Sequence, residues 1–199
     1  MVEKADLHRR SQRVTIRDIL RTAVDMEKKT MALYMRFARL FQKPEELRKF
    51  WFTMARHEAG HLGALALVEG VLENEPDIAE ATKVWFDPST VVRSRSLLSA
   101  YSREAAKGGV GVERSFEIAL DIEGSELEDV VVELLQVVKE PMLHDQAVKL
   151  MLHDLSDLSY MVEKFTKNEA LLNRADELVD RRIGTFTVPR VEKSHSTPS

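Results

Sequence analysis

Acids interrupt apolar helical stripes at comparable heights along this sequence: Glu27, Glu58, Glu123, Asp154 and Asp157. Read at steps of three and four residues, one face runs Ile16, Leu20, Ala23, Glu27, Thr30, Tyr34, Ala38, Phe41. A second runs Leu47, Trp51, Met54, Glu58, His61, Leu65, Val68, Leu72, and a third Phe116, Leu120, Glu123, Leu127, Val130, Leu134, Val137. The fourth runs Leu143, Ala147, Leu150, Asp154, Asp157, Met161. A carboxylate inside a helical core costs several kcal/mol unless it is paired. None of these stripes carries Lys or Arg until Lys164 at the far end of the fourth. A bound pair of metal ions would supply the missing positive charge. The competing reading places each acid at a stripe edge, in contact with solvent.

The donor types narrow the chemistry. Residues three apart on a helix project side by side, so Glu58 with His61, and Asp154 with Asp157, can grip neighbouring ions. Oxygen-rich sites with a minority of imidazole suit iron or manganese better than copper or zinc. Carboxylates chelate, bridge and shift, which accommodates both ferrous and ferric states and points to dioxygen or peroxide reduction.

An internal repeat reinforces the pattern. A step of 96 residues takes Glu27 to Glu123, Glu58 to Asp154, His61 to Asp157 and His57 to His153. The segment Ala23-Val24-Asp25-Met26-Glu27 corresponds to Ala119-Leu120-Asp121-Ile122-Glu123, and His57-Glu58-Ala59-Gly60-His61 to His153-Asp154-Leu155-Ser156-Asp157. Two helical hairpins related by pseudo-twofold symmetry would place one metal near each half. His57 and His153 lie roughly 100° round the helix from the residues that follow them and read as surface or interface histidines. The sharper alternative makes them supports for a ligand or, for His153, a substitute ligand.

These residues must be positioned by helices. The chain of 199 residues has 31% charged and 44% hydrophobic residues, which fits one globular domain with a substantial core. Helices are expected over Thr15–Phe41, from Pro44 to Leu72, over Val112–Val138 and over Pro141–Phe165. Residues 73–111 read as a long connection carrying a helix near Thr90–Lys107, and a short fifth helix covers Asn168–Arg181. The domain is expected to span residues 1–182, with 183–199 a flexible tail that could dock a partner. Trp85 and Phe86 in the connection are expected to cap the core or a dimer interface. The fold class is all-α.

The absence of cysteine excludes disulfides, thiolate metal sites and iron–sulfur clusters. The formal net charge of −4 argues against a general nucleic-acid binder, although Arg9, Arg10, Arg13 and Arg17 make the N-terminus basic. No apolar run approaches the ~18 residues of a membrane span. A cytoplasmic protein without nucleic-acid or membrane partners is expected.

Over about Thr15–Phe165 the sequence resembles the rubrerythrin family of ferritin-like di-iron proteins. The order of two long helices, a long crossover and two further long helices is that of a ferritin-like four-helix bundle. Glu27 matches the family's helix-one glutamate, Glu58 with His61 its Glu-x-x-His, and Glu123 with Glu126 its Glu-x-x-Glu. The resemblance implies two iron ions, with manganese possible, held by Glu27, Glu58, His61, Glu123, Glu126, Asp154 and Asp157. It implies that Glu126 exchanges with histidine as a ligand when iron changes oxidation state. Tyr34 matches a tyrosine that hydrogen-bonds a ligand, with a core aromatic as the equal alternative.

Helix four departs from the family, placing Asp154 and Asp157 where Glu and His are expected. The shorter, more acidic set would favour ferric iron or leave one carboxyl protonated. The chain also lacks the cysteine-rich rubredoxin module, so a separate protein would have to supply electrons. The resemblance implies a homodimeric oxidoreductase that reduces peroxide, or oxidises ferrous iron with dioxygen or peroxide. The alternative is a non-catalytic bundle with a degenerate site that binds a partner or a single ion.

Overall fold

The computed structural model describes residues 15–75, 77, 88–135, 137 and 141–187, and among them the long elements are all α-helices and no strand occurs. They are α1 (Ile16–Leu40), α2 (Glu45–Asn74), α3 (Pro88–Ala106), α4 (Val112–Glu123), α5 (Glu126–Leu135), α6 (Pro141–Phe165) and α7 (Glu169–Thr187). Among the described residues no helix is long and apolar enough to cross a membrane. The basic residues Arg9, Arg10 and Arg13, the aromatic pair Trp85 and Phe86, and residues 188–199 lie outside the described residues.

Local chemistry fixes the start of α1. Thr15 accepts from the Asp18 amide and donates its own amide to the Asp18 carboxylate, each at 3.2 Å. Such a reciprocal cap contributes about 1 kcal/mol. The short connection after Leu40 folds α2 back onto α1, and these two make the most extensive helix pair. Arg17 ties the far ends together by donating to the Leu72 carbonyl.

Two boundaries differ from the sequence expectation. The single helix expected over Val112–Val138 divides into α4 and α5 at Gly124 and Ser125. Glycine disfavours a helix interior. Arg182 on α7 donates to the carbonyls of Glu123 (3.1 Å) and Ser125 (2.9 Å), which replaces the bonds a continuous helix would make. A Cβ at position 124 would stand 2.7 Å from the Leu120 carbonyl oxygen, so the break also needs a residue without one. The second difference is α7, which runs past the expected end at Arg181 to Thr187. The tail expected from residue 183 is therefore helical as far as it is described, and buried Arg182 anchors it to the α4–α5 break.

The stripes of α1 and α2 are the buried faces of those helices from Ile16 to Ala38 and from Leu47 to Leu72. The face of α6 is rotated: Met151, Asp154, Leu155, Leu158, Met161 and Val162 are buried, and Leu150 and Asp157 are only half-buried. The apolar residues form two clusters. One is aromatic, with Trp51 within 4.8–5.6 Å of the Tyr34, Phe37, Phe50 and Phe116 rings. The other joins Ile16, Leu20 and Ala23 to Leu65, Val68, Leu72, Val130 and Leu134. On α2 the buried polar residues His57, Glu58 and His61 come between the parts that build these two clusters, and Glu27 and Glu123 are buried on α1 and at the end of α4.

Candidate metal centre

Between the apolar clusters the structure brings Glu27 of α1 together with Glu58 and His61 of α2. One ligating atom from each lies within 4.8 Å of the others, and all three residues are buried. His61 Nδ1 stands 3.5 Å from Glu27 Oε2 and 3.5 Å from Glu58 Oε2. Two donors held at about 2.1 Å by one ion stand roughly 3.0–3.5 Å apart, so the spacing suits a common cation.

Burial makes the need for that cation concrete. Neither oxygen of Glu27 nor Oε2 of Glu58 has a hydrogen-bond partner, though each is shielded from solvent. Among the described residues the ion-pair partners of Glu27, Glu58 and Asp154 are histidines. Buried carboxylate oxygens without donors are costly. A donor set of two carboxylates and an imidazole fits a divalent transition ion.

Without such an ion the carboxyl groups resist ionisation unequally. Burial, then the neighbouring Glu27 charge, pushes Glu58 well above the ordinary carboxyl range. Burial pushes Glu123 up to about 7, with the Asp154 charge adding to it and the Tyr34 hydrogen bond opposing it. Glu27 is held below its ordinary value: burial opposes ionisation, but interactions with Glu58 and His61 outweigh it. These shifts describe a group of acids that share protons when no metal balances them.

The remaining candidates are distributed unevenly. Glu123 is buried at the end of α4 and its Oε1 accepts a 2.7 Å hydrogen bond from the Tyr34 hydroxyl. Glu126 opens α5, and its side chain lies outside the described part of the structure. Asp154 is buried on α6, whereas the Asp157 side chain is 46% exposed and faces His153 at 3.5 Å. Asp157 precedes buried Leu158 by one residue, roughly 100° round the helix, and so falls at the edge of the buried face. His153 is itself exposed.

Of the positions expected for His57, the surface is not the one it takes. It is buried, and its Nδ1 contacts Asp154 Oδ1 across the α2–α6 interface. The reason is that α2 packs against α1, α5 and α6, so its buried arc is wider than one stripe and takes in Phe50, Ala55 and His57.

Tyr34 yields a direct prediction. Tyr34→Phe removes a hydrogen bond to a buried carboxyl and is expected to cost about 1–3 kcal/mol in stability. It should also move the Glu123 titration upward, read from the side-chain carboxyl signal by carbon NMR. An unchanged midpoint would show that the hydroxyl does not serve Glu123.

The cavities give a scale for any substrate. A groove of about 470 Å³ between α4 and α7 is lined by Leu120, Asp121, Arg174 and Arg181 among others, and by none of Glu27, Glu58, His61, Glu123 and Asp154. A space of about 30 Å³ adjoins Met26, Thr30 and Ile122, next to Glu27 and Glu123 in the chain. That is room for one or two water-sized molecules.

Compared with known proteins, the chain matches no family model, no curated protein and no solved structure.

Proposed function

We propose that this protein is a ferritin-like bundle, with α3 lying in the crossover, that holds iron or manganese and works as an oxidoreductase on peroxide, dioxygen or ferrous iron. The observation that carries the reading is the pair of buried carboxylates, Glu27 and Glu58, which converge with His61 and of which both Glu27 oxygens and Glu58 Oε2 lack a hydrogen-bond partner. Glu27, Glu58 and His61 would hold the first ion, and Glu123 and Asp154 are the buried acids nearest to hand for a second. The metal would supply one-electron redox steps, and this cysteine-free chain offers no thiol for redox chemistry. Tyr34 orients Glu123 through its hydroxyl. The apolar clusters keep bulk water from the acids. By the family resemblance, Glu126 would be the mobile ligand, and a separate protein would donate electrons.

The two redox readings are separated by what happens to added iron. Protein loaded with ferrous iron without oxygen is given peroxide and an artificial electron donor, and in parallel excess ferrous iron with oxygen. Repeated peroxide consumption without iron retention supports the peroxidase reading, and rapid ferrous oxidation supports a ferroxidase. Metal binding with neither activity would sink the oxidoreductase reading and leave a metal-binding bundle. The exposure of Asp157 favours that second reading, because it leaves α6 with one buried acid among the described residues.

A further inference from the structure

The α6 side of the centre carries Asp154 without the histidine that Glu58 has in His61. Asp157, three residues on, faces solvent and His153. An imidazole nevertheless reaches Asp154 from the opposite helix. His57 is 8% exposed and Asp154 3% exposed, and His57 Nδ1 lies in direct contact with Asp154 Oδ1. Neither of these two atoms has a hydrogen-bond partner, so the contact lacks the N–H···O alignment of an ordinary bond. Both atoms are thus buried and unsatisfied, and a cation drawn in beside them would satisfy the two at once. Glu123 is buried at the end of α4, with Oε1 held by the Tyr34 hydroxyl.

From this arrangement we infer that His57, and not Asp157, completes the second metal position, together with Asp154 and Glu123. The inference rests on the reading of the chain as a metal-binding bundle and goes beyond it by assigning both imidazoles to α2. His57 and His61 are four residues apart, one helical turn, and so present two nitrogen donors along one side of α2. The repeat in the sequence is thereby broken in function: the α2 segment supplies both histidines and the α6 segment one aspartate. The two positions are unequal. Glu27, Glu58 and His61 have three donor atoms gathered within 4.8 Å, whereas Asp154, His57 and Glu123 are not drawn together as closely. The second ion therefore binds more weakly than the first.

The test uses Co²⁺ titrated into the metal-free full chain, followed by visible absorption and calorimetry. The wild type is expected to take up about two Co²⁺ per chain in unequal steps, His57→Gln about one with the tight step retained, and Asp157→Asn the same as wild type. Loss of the weak step in Asp157→Asn with its retention in His57→Gln would overturn the assignment. A wild type that binds a single ion would also overturn it while leaving the metal-binding reading intact, and a wild type that binds none would sink both. If His57→Gln fails to fold, proton NMR of the cobalt-loaded wild type decides the matter. Two hyperfine-shifted imidazole N–H signals are expected, and one alone contradicts the proposal.

Discussion

Glu58→Gln is expected to weaken metal binding by at least about 100-fold while leaving the metal-free fold as stable as wild type or more so at pH 8. Losing a group that merely supports a ligand typically costs 10–100-fold in affinity, and loss of a ligand itself should exceed that. The opposite sign for stability follows from burial. Glu58 lies beside Glu27 and is pushed well above the ordinary carboxyl range, first by desolvation and then by the Glu27 charge. An amide of the same shape removes that charge without opening a cavity, and replacing a buried, unbalanced charge is often neutral or stabilising. Isothermal titration with Mn²⁺ and thermal unfolding of the metal-free chain measure the two effects on one preparation. A variant that binds Mn²⁺ as wild type does would remove Glu58 from the centre. One that is simply unstable would indicate that Glu58 serves the fold instead.

The metal-free protein should lose stability as pH rises from about 5 to 8, the reverse of what acids in ordinary salt bridges produce. Glu123 is raised from 4.5 to about 7 in the folded chain, and Glu58 is raised as well. For such groups the folded state holds the proton more tightly than the unfolded state. Their contribution is complete below about pH 4.5 and is lost as pH climbs through the folded-state values. Glu27, lowered by its interactions with Glu58 and His61, acts in the other direction: its contribution is present above its ordinary range and lost on acidification. Between pH 5 and 8 the two raised acids dominate. Glu123 alone corresponds to a change on the order of 3 kcal/mol, or a fall in Tm of roughly 5–10 °C for a chain of this size. Bound metal holds the acids in their charged form and binds more tightly as protons leave. The metal-loaded protein should therefore show a flat or rising Tm over the same range. Unfolding curves at several pH values, with and without Mn²⁺, check both slopes, and parallel slopes would contradict a shared site for protons and metal.

Much of this arrangement is legible in the sequence because α1 and α2 follow the helical period closely. Every residue from Ile16 to Ala38 on the first stripe, and from Leu47 to Leu72 on the second, is buried. Glu27, Glu58 and His61 meet because they occupy those stripes. On α6 the period alone does not settle which side faces inward, since Leu150, Leu155 and Leu158 offer apolar residues on adjacent sides. The choice falls to the packing against α2 and α7, which leaves Asp157 at the edge. His57 was hidden for a related reason: a helix buried on more than one side has no single stripe, and a histidine one residue from a ligand can be as enclosed as the ligand. The division between α4 and α5 had a local signal in Gly124-Ser125. Its cause is the Arg182 guanidinium, 57 residues beyond Ser125, which no local pattern reveals.

The central claim is that Glu27, Glu58 and His61 hold a metal ion, and equilibrium dialysis of the metal-free chain against ferrous iron without oxygen tests it most directly. The wild type should retain at least about one ion per chain through desalting, and the Glu27→Ala/Glu58→Ala double variant should retain none at that position. No retained iron in a folded wild type, or equal retention by the folded double variant, would contradict the account.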